Sequence, residues 1–352
     1  MSQTDSVGTM LRESAARLFQ THCDTPTRRN ADAGTWPAAL WAAIEEAGLP
    51  RALVPEAAGG FGVPVTEALS LLRVAGAHAV PAPLAETMLG AWLLAKAGLE
   101  IPDGPLGVAP VRDDDLPRLT RSGNDWRIIG TVTRVPWGRN AARLATVADL
   151  DGEPAVALVG PEAFAVTEPG ENVAREPRDT LRLDGVAAVA GSGVTARLLK
   201  LAGATLRTQQ IAGALTALTE MTVRYAQDRV QFGRPIGKFQ AVQQNLAVMA
   251  GQAAAAAAAA DLAADAFANG MALLPIAAGK ARAGEAAGIA AAIAHQVHGA
   301  IGFTFEHDLH FYTRRLWSWR DEFGHETAWN RAIGHHMAQA GADALWPTIT
   351  AA

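Results

Sequence analysis

The order of residue patterning constrains this chain most: helical periodicity at both ends and short strand-like runs between them. Residues 1–104 carry apolar residues at helical spacing. Trp41, Ile44 and Leu49 surround the acidic pair Glu45 and Glu46, and Leu69, Leu72, Val74 and Ala77 lie on or near one face. The cluster Glu56–Gly62 (EAAGGFG) reads as a turn between these stretches. From 105 to 193 the runs shorten to 126–129, 144–147, 155–159, 164–166 and 181–183, each bounded by Gly, Pro, Asp or Asn. Such spacing predicts a small antiparallel β-domain. After Val194 the helical period returns, with Ile211, Leu215, Leu218, Met221 and Tyr225 forming one stripe and Phe239, Val242, Leu246 and Met249 another. The expected fold is α+β and multidomain: an N-terminal helical domain (1–104), a middle antiparallel β-domain (105–193) and a C-terminal four-helix bundle (194–352).

Composition narrows the function. At 352 residues the chain is too long for one small core. A net charge of -5 argues against wholesale neutralisation of nucleic-acid phosphates. The single cysteine, Cys23, excludes an intramolecular disulfide and any multi-thiolate metal site. The N-terminal MSQTDSVGTM shows no secretory pattern. The alanine run Ala253–Ala260, followed by Asp261 and Asp265, reads as a tightly packed soluble helix rather than a membrane span. A cytoplasmic protein is expected.

Two C-terminal segments could carry chemistry. Arg229–Gln240 (RVQFGRPIGKFQ) reads locally as a helix stop, with Gly233 as C-cap and Pro235 in the turn. It is not a phosphate loop, because GxxxGK followed by Phe239 lacks the fourth spacer and the magnesium-binding hydroxyl. Gln296–Phe303 (QVHGAIGF) has small residues that permit close backbone approach, either to another helix or to a pyrophosphate.

Together, R-x-Q-F-G-x-P-I-x-x-F-Q and Q-x-H-G-x-I-G-F, with the V-P-E-x-x-G-G-F-G turn at Val54–Gly62, resemble the acyl-CoA dehydrogenase family. The resemblance runs from about Trp41 to Gly334. It implies FAD lying across a subunit interface of a homo- or hetero-tetramer, an acyl-CoA substrate and an electron-transfer flavoprotein as redox partner. It places Arg229 by the pyrophosphate, Phe232 and Gln240 at the adenine end, Gly233 in the clamp, and Gln296 and Gly299 at the pyrophosphate's other side. The implied reaction is α,β-desaturation of a thioester in fatty acid or steroid side-chain degradation. A carboxylate takes the α proton and the β hydrogen leaves as hydride to the flavin.

The chain departs from the family in its ring-holding segments and at its base positions. Leu106–Asp115 lacks the ring-holding T-E-P-x-x-G-S-D, and Arg134-Val135-Pro136-Trp137 stands where W-I-T-N is usual. The Glu of the family's Y-E-G-T segment falls at Phe323 or Gly324, and the alternative base position, on the preceding long helix, falls near Gly203. The nearest carboxylates, Glu326 and Glu322, are candidate bases; ion pairing with Arg314, Arg315 and Arg320 is the competing reading. Three functions stay open: a homomeric dehydrogenase with a displaced base, a degenerate companion subunit sharing FAD with a partner, and a metal-binding helical protein. The last draws on His295/His298, His307/His310 and Glu322/His325 at i, i+3 spacing.

Overall fold

The computed structural model describes residues 3–350 except Asp113, Asn124 and Ser192, so Asp113 of the Leu106–Asp115 stretch lies outside the described residues. Five helices come first: α1 (Gln3–His22), α2 (Thr25–Asp32), α3 (Ala38–Glu46), α4 (Val65–Ala77) and α5 (Leu84–Ala97). Local chemistry sets their starts. Asp24 caps α2 by accepting from the Thr27 N–H at 2.8 Å. Pro64 and Pro83 precede α4 and α5, where a backbone N–H would have no intrahelical partner. The 56–62 turn needs its glycines: Gly59 and Gly62 have φ of 87° and 64°, and a Cβ on Gly60 would overlap the Val54 carbonyl.

Seven strands follow: β1 (Leu106–Val108), β2 (Arg118–Ser122), β3 (Asp125–Pro136), β4 (Arg143–Leu150), β5 (Glu153–Val159), β6 (Phe164–Glu168) and β7 (Arg178–Gly191). The sheet order is β1-β4-β2-β3-β7-β5, with β5 also pairing β4 so that the sheet closes on itself, and β6 lying on β7. Inward residues of alternating strands, among them Ile128, Val132, Leu181 and Leu183, fill the interior. The sheet is mixed rather than wholly antiparallel, because β1 pairs β4 in parallel and Arg118 of β2 meets Asp149 of β4 in parallel. The β2–β3 hairpin separates β1 from β4 in sequence, and such a crossover connection permits parallel neighbours. Strand β2 escaped the sequence reading because RLTRS offers only Leu119 to the core.

The remaining helices are α6 (Ala196–Asp228), α7 (Gln240–Ala268), α8 (Leu273–His298), α9 (Leu309–Asp321), α10 (Glu326–Ala340) and α11 (Leu345–Thr350). Between α6 and α7 lies a small hairpin, β8 (Val230–Gln231) and β9 (Arg234–Pro235). Helices α6 to α9 form the bundle, and α4 packs on the outer side of α6. That crossing is tight: a Cβ on Gly213 would overlap the Arg73 carbonyl, and one on Gly76 the Gln210 carbonyl. Helix α7 and the segment 273–303 are long and apolar enough to cross a membrane by length and composition. Both pack within the bundle, where Ala256, Ala260 and Ala263 of α7 and Ala283, Ala287 and Ala290 of α8 are buried. Alanine there lets helix axes approach closely.

Candidate functional site

The two motif segments come together on one surface. Helix α6 ends at Asp228 with Arg229 as its C-cap, so Gly233 is not the cap expected from sequence. Instead Phe232 and Gly233, at φ 51° and 78°, form the two-residue turn of the β8–β9 hairpin. Positive φ at both central residues is the geometry of the favoured tight hairpin turn, and glycine supplies one of them. Phe232 supplies the other at a steric cost and leaves its ring 93% exposed. The Phe239 ring stands edge-on to it at 6.2 Å, and the Arg234 guanidinium lies 4.2 Å from the Phe239 centroid.

A groove of about 340 Å³ runs between this hairpin and the end of α8, lined by Phe232, Phe239, Asn245 and Gln296 among others. Arg229, Gln240, Gln296 and Gly299 are all exposed. Gly299 has φ 61° and open space where a Cβ would sit. Behind it the His298 ring is buried and stacked on Tyr225 at 4.3 Å, while its Nε2 has no partner among the described residues. Burial holds the His298 imidazolium down to about 4, against a weaker opposing hydrogen bond to the Ala294 carbonyl. This donor set fits the adenosine diphosphate half of FAD: a guanidinium with no carboxylate partner among the described residues, exposed amides, an uncovered aromatic face and an open backbone at Gly299.

The base positions converge elsewhere. Between α9 and α10, Phe323 and Gly324 take φ of 55° and 104°. This turn lays the Phe323 ring directly against Gly203 of α6, where a Cβ would overlap the ring. The two places where a family base is expected therefore face each other, and a phenyl ring occupies the space between them. Lys280 of α8 fixes the turn by donating to the carbonyls of Arg320 (2.6 Å) and Gly324 (2.9 Å), and Trp329 Nε1 donates to the Gly324 carbonyl at 3.0 Å.

Glu322 points away from Phe323 into a buried ion cluster. It pairs with Arg178 at 2.6 Å and Arg207 at 2.7 Å. Arg207 also reaches Glu86 of α5, Arg178 reaches Glu176 at 3.0 Å, and Arg315 of α9 meets Glu176 at 3.1 Å. Three arginines and three glutamates thus neutralise one another and join the helical domain, the β-domain and the bundle. Burial works to raise the Glu322 carboxyl, but the Arg178 and Arg207 charges prevail and hold it at about 2. A carboxylate held that far down is a poor proton acceptor near neutrality.

Glu326 opens α10 and pairs with Arg320 at 2.9 Å. Burial pushes its carboxyl up, and the Arg320 hydrogen bond brings the balance below the usual range. Its carboxylate lies against Gly284 of α8 rather than beside Gly203.

The ion pairing expected from sequence holds for both carboxylates, but of the expected arginines only Arg320 meets one of them, Glu326, while Glu322 takes Arg178 and Arg207. The sequence left one sign of that cluster. Arg207 is a lone charge in a stretch of α6 whose neighbours, Leu199 to Leu218, are otherwise apolar or uncharged apart from Lys200. The histidine pairs gather no metal site. His295 stacks on Phe303 and Trp317, His298 on Tyr225, and Glu322 is bound to arginines. Among the described residues no group of three or more His, Cys, Asp or Glu side chains could hold an ion.

The family model for the acyl-CoA dehydrogenase N-terminal domain matches residues 8–101, and that for the C-terminal domain matches residues 191–333. The chain belongs to the acyl-CoA dehydrogenase family. It is 31% identical to acyl-CoA dehydrogenase IpdE2 of Mycobacterium tuberculosis over 321 residues, 87% of this chain and 89% of that protein. It is 30% identical to acyl-CoA dehydrogenase FadE27 of the same organism, over 86% of this chain and 89% of that one. Its fold matches a chain of the ChsE4-ChsE5 complex from Mycobacterium tuberculosis with a TM-score of 0.87 and 26% identity, covering 97% of this chain and 99% of that one. The family's chemistry is FAD-dependent dehydrogenation of acyl-CoA thioesters, and this chain is an acyl-CoA dehydrogenase family subunit.

Proposed function

We propose that this chain is a companion subunit, one that supplies an adenosine-diphosphate clamp to a flavin whose ring is held by a partner subunit of the same family. The observation that carries this reading is the Phe323 ring on Gly203, which fills the place of both family base positions with a group that cannot take a proton. The departures at Leu106–Asp115 and Arg134–Trp137 support it, since they remove the usual ring-holding residues. So does the likeness to the ChsE4-ChsE5 complex and to the steroid ACAD Tcur3481-Tcur3483, 26% identical with a TM-score of 0.86.

In this reading Arg229 pairs with the pyrophosphate, Phe232 offers its exposed face to adenine, and the Gln240 and Gln296 amides hydrogen-bond the same half of the cofactor. Gly233 makes the turn that presents Phe232, and Gly299 lets the pyrophosphate approach the backbone. When bound, FAD supplies the hydride acceptor. The substrate class to test first is a steroid-side acyl-CoA thioester, with an electron-transfer flavoprotein as acceptor.

The test is substitution within the assembled complex. Arg229→Ala should reduce the FAD retained after gel filtration by about tenfold or more, the weight of a charge-assisted contact to phosphate. Glu326→Gln in this chain should leave turnover per bound flavin unchanged. Loss of turnover with full flavin content in Glu326→Gln would overturn the proposal in favour of a displaced base.

A further inference from the structure

Arg229 and Gly299 stand at the C-terminal ends of two different helices, and a buried contact behind them joins those ends. Arg229 caps α6 and donates its N–H to the Tyr225 carbonyl at 2.9 Å. Gly299 caps α8 directly after His298. The Tyr225 ring stacks on the His298 imidazole, with centroids 4.3 Å apart and planes at 23°. The Tyr225 hydroxyl also donates to the His298 carbonyl at 3.2 Å. One tyrosine thus holds both the ring and the backbone of His298.

The surroundings fix this imidazole and keep it uncharged. Its Nδ1 lies 2.8 Å from the Ala294 carbonyl, which only accepts, so the neutral ring carries its proton there and leaves Nε2 as an acceptor. The residue is 3% exposed. The His307 ring stands edge-on at 4.7 Å, and its own Nδ1 accepts from the Leu309 N–H at 3.1 Å. The 299–303 segment folds back so closely that a Cβ on Gly302 would meet the His298 Cβ at 3.0 Å. A helix C-terminus favours a protonated imidazole, but burial prevails here and the pKa falls to about 4. Near neutrality His298 therefore brings no charge to the surface above it. Its effect lies in where it holds the backbone.

We propose that His298 is a positioning residue: stacked on Tyr225, it sets the spacing between Arg229 and the 296–299 segment, and with it the grip on an adenosine diphosphate group. This rests on the reading of that surface as the clamp for half of FAD. His298 touches the cofactor nowhere in this account and acts through Arg229 and Gly299.

The experiment is fluorescence titration of FAD into the flavin-stripped complex of this chain with its partner subunit, alongside thermal melting of each variant. His298→Ala should weaken FAD by about tenfold, the upper weight of an aromatic pair. His298→Phe, which keeps the stacked ring, should bind within about twofold of wild type. Ile211→Ala, buried in the same core about four turns up α6, should lower the melting temperature and leave FAD affinity unchanged. In the Arg229→Ala background, His298→Ala should cost almost nothing further, because its effect passes through Arg229. Full affinity in folded His298→Ala overturns the proposal. So does an equal loss in Ile211→Ala, which makes the effect one of general stability, or full additivity with Arg229→Ala. Arg229→Ala that binds FAD as wild type does refutes the clamp reading itself, whereas weakened Arg229→Ala with unaffected His298→Ala refutes the positioning role alone.

Discussion

Replacing Glu322 by glutamine separates a structural carboxylate from a catalytic one. The folded chain lowers its pKa from the ordinary 4.5 to about 2, against the opposing effect of burial. That difference corresponds to about 3 kcal/mol favouring the ionised form in the native state. The folded value lies below the unfolded one, so this stabilisation is complete above about pH 4.5 and is lost as the pH falls toward 2. Glutamine leaves Arg178 and Arg207 with one uncompensated positive charge in a buried cluster, a type of loss that costs about 3–5 kcal/mol. For a chain of this length, about 3 kcal/mol is about 4 °C in melting temperature. Thermal unfolding at neutral pH should show that drop in Glu322→Gln, and the gap between variant and wild type should shrink below pH 4. Turnover per folded complex should be unchanged. A variant as stable as wild type that has lost turnover would refute the reasoning, because Glu322 would then act as the base.

Gly203→Ala should destabilise by about 1–3 kcal/mol, since the new methyl overlaps the Phe323 ring. In the Phe323→Ala background the same change should cost almost nothing, and a double-mutant cycle by urea unfolding reads the coupling. Burial, against the pull of Glu326 and Glu322, lowers the Lys280 ammonium from 10.5 to about 7. The unfolded chain therefore holds more protons between those values, so stability should rise with pH from about 7 to 10.5, and Lys280→Met should flatten that slope. A slope identical in both proteins contradicts the burial of Lys280.

Much of the fold was legible because periodicity reports burial directly. The Ile211 to Tyr225 stripe and the strand runs at 126–129 and 155–159 lie within α6, β3 and β5. The parallel β1–β4 pair was not legible, because Leu106–Val108 is buried throughout and carries no alternation. The residues of the proposed clamp could be named from motif alone, but their presentation could not. Gly233 reads as a helix cap in sequence, and only the β8–β9 pairing shows it in a hairpin turn instead. The empty base positions were visible as Phe323 and Gly203, yet 120 positions of sequence hide that the ring of one lies on the other. The ion cluster was illegible for the same reason: Glu86, Arg178, Arg207 and Glu322 come from different domains and share no local pattern.

The most direct test of the companion role is the visible absorption spectrum of the chain purified alone, set beside its mass in solution and then repeated on the assembled complex. The account predicts a colourless protein alone and a flavin spectrum only with a partner dehydrogenase subunit present. A homotetramer that carries one FAD per chain and bleaches on addition of an acyl-CoA would contradict it.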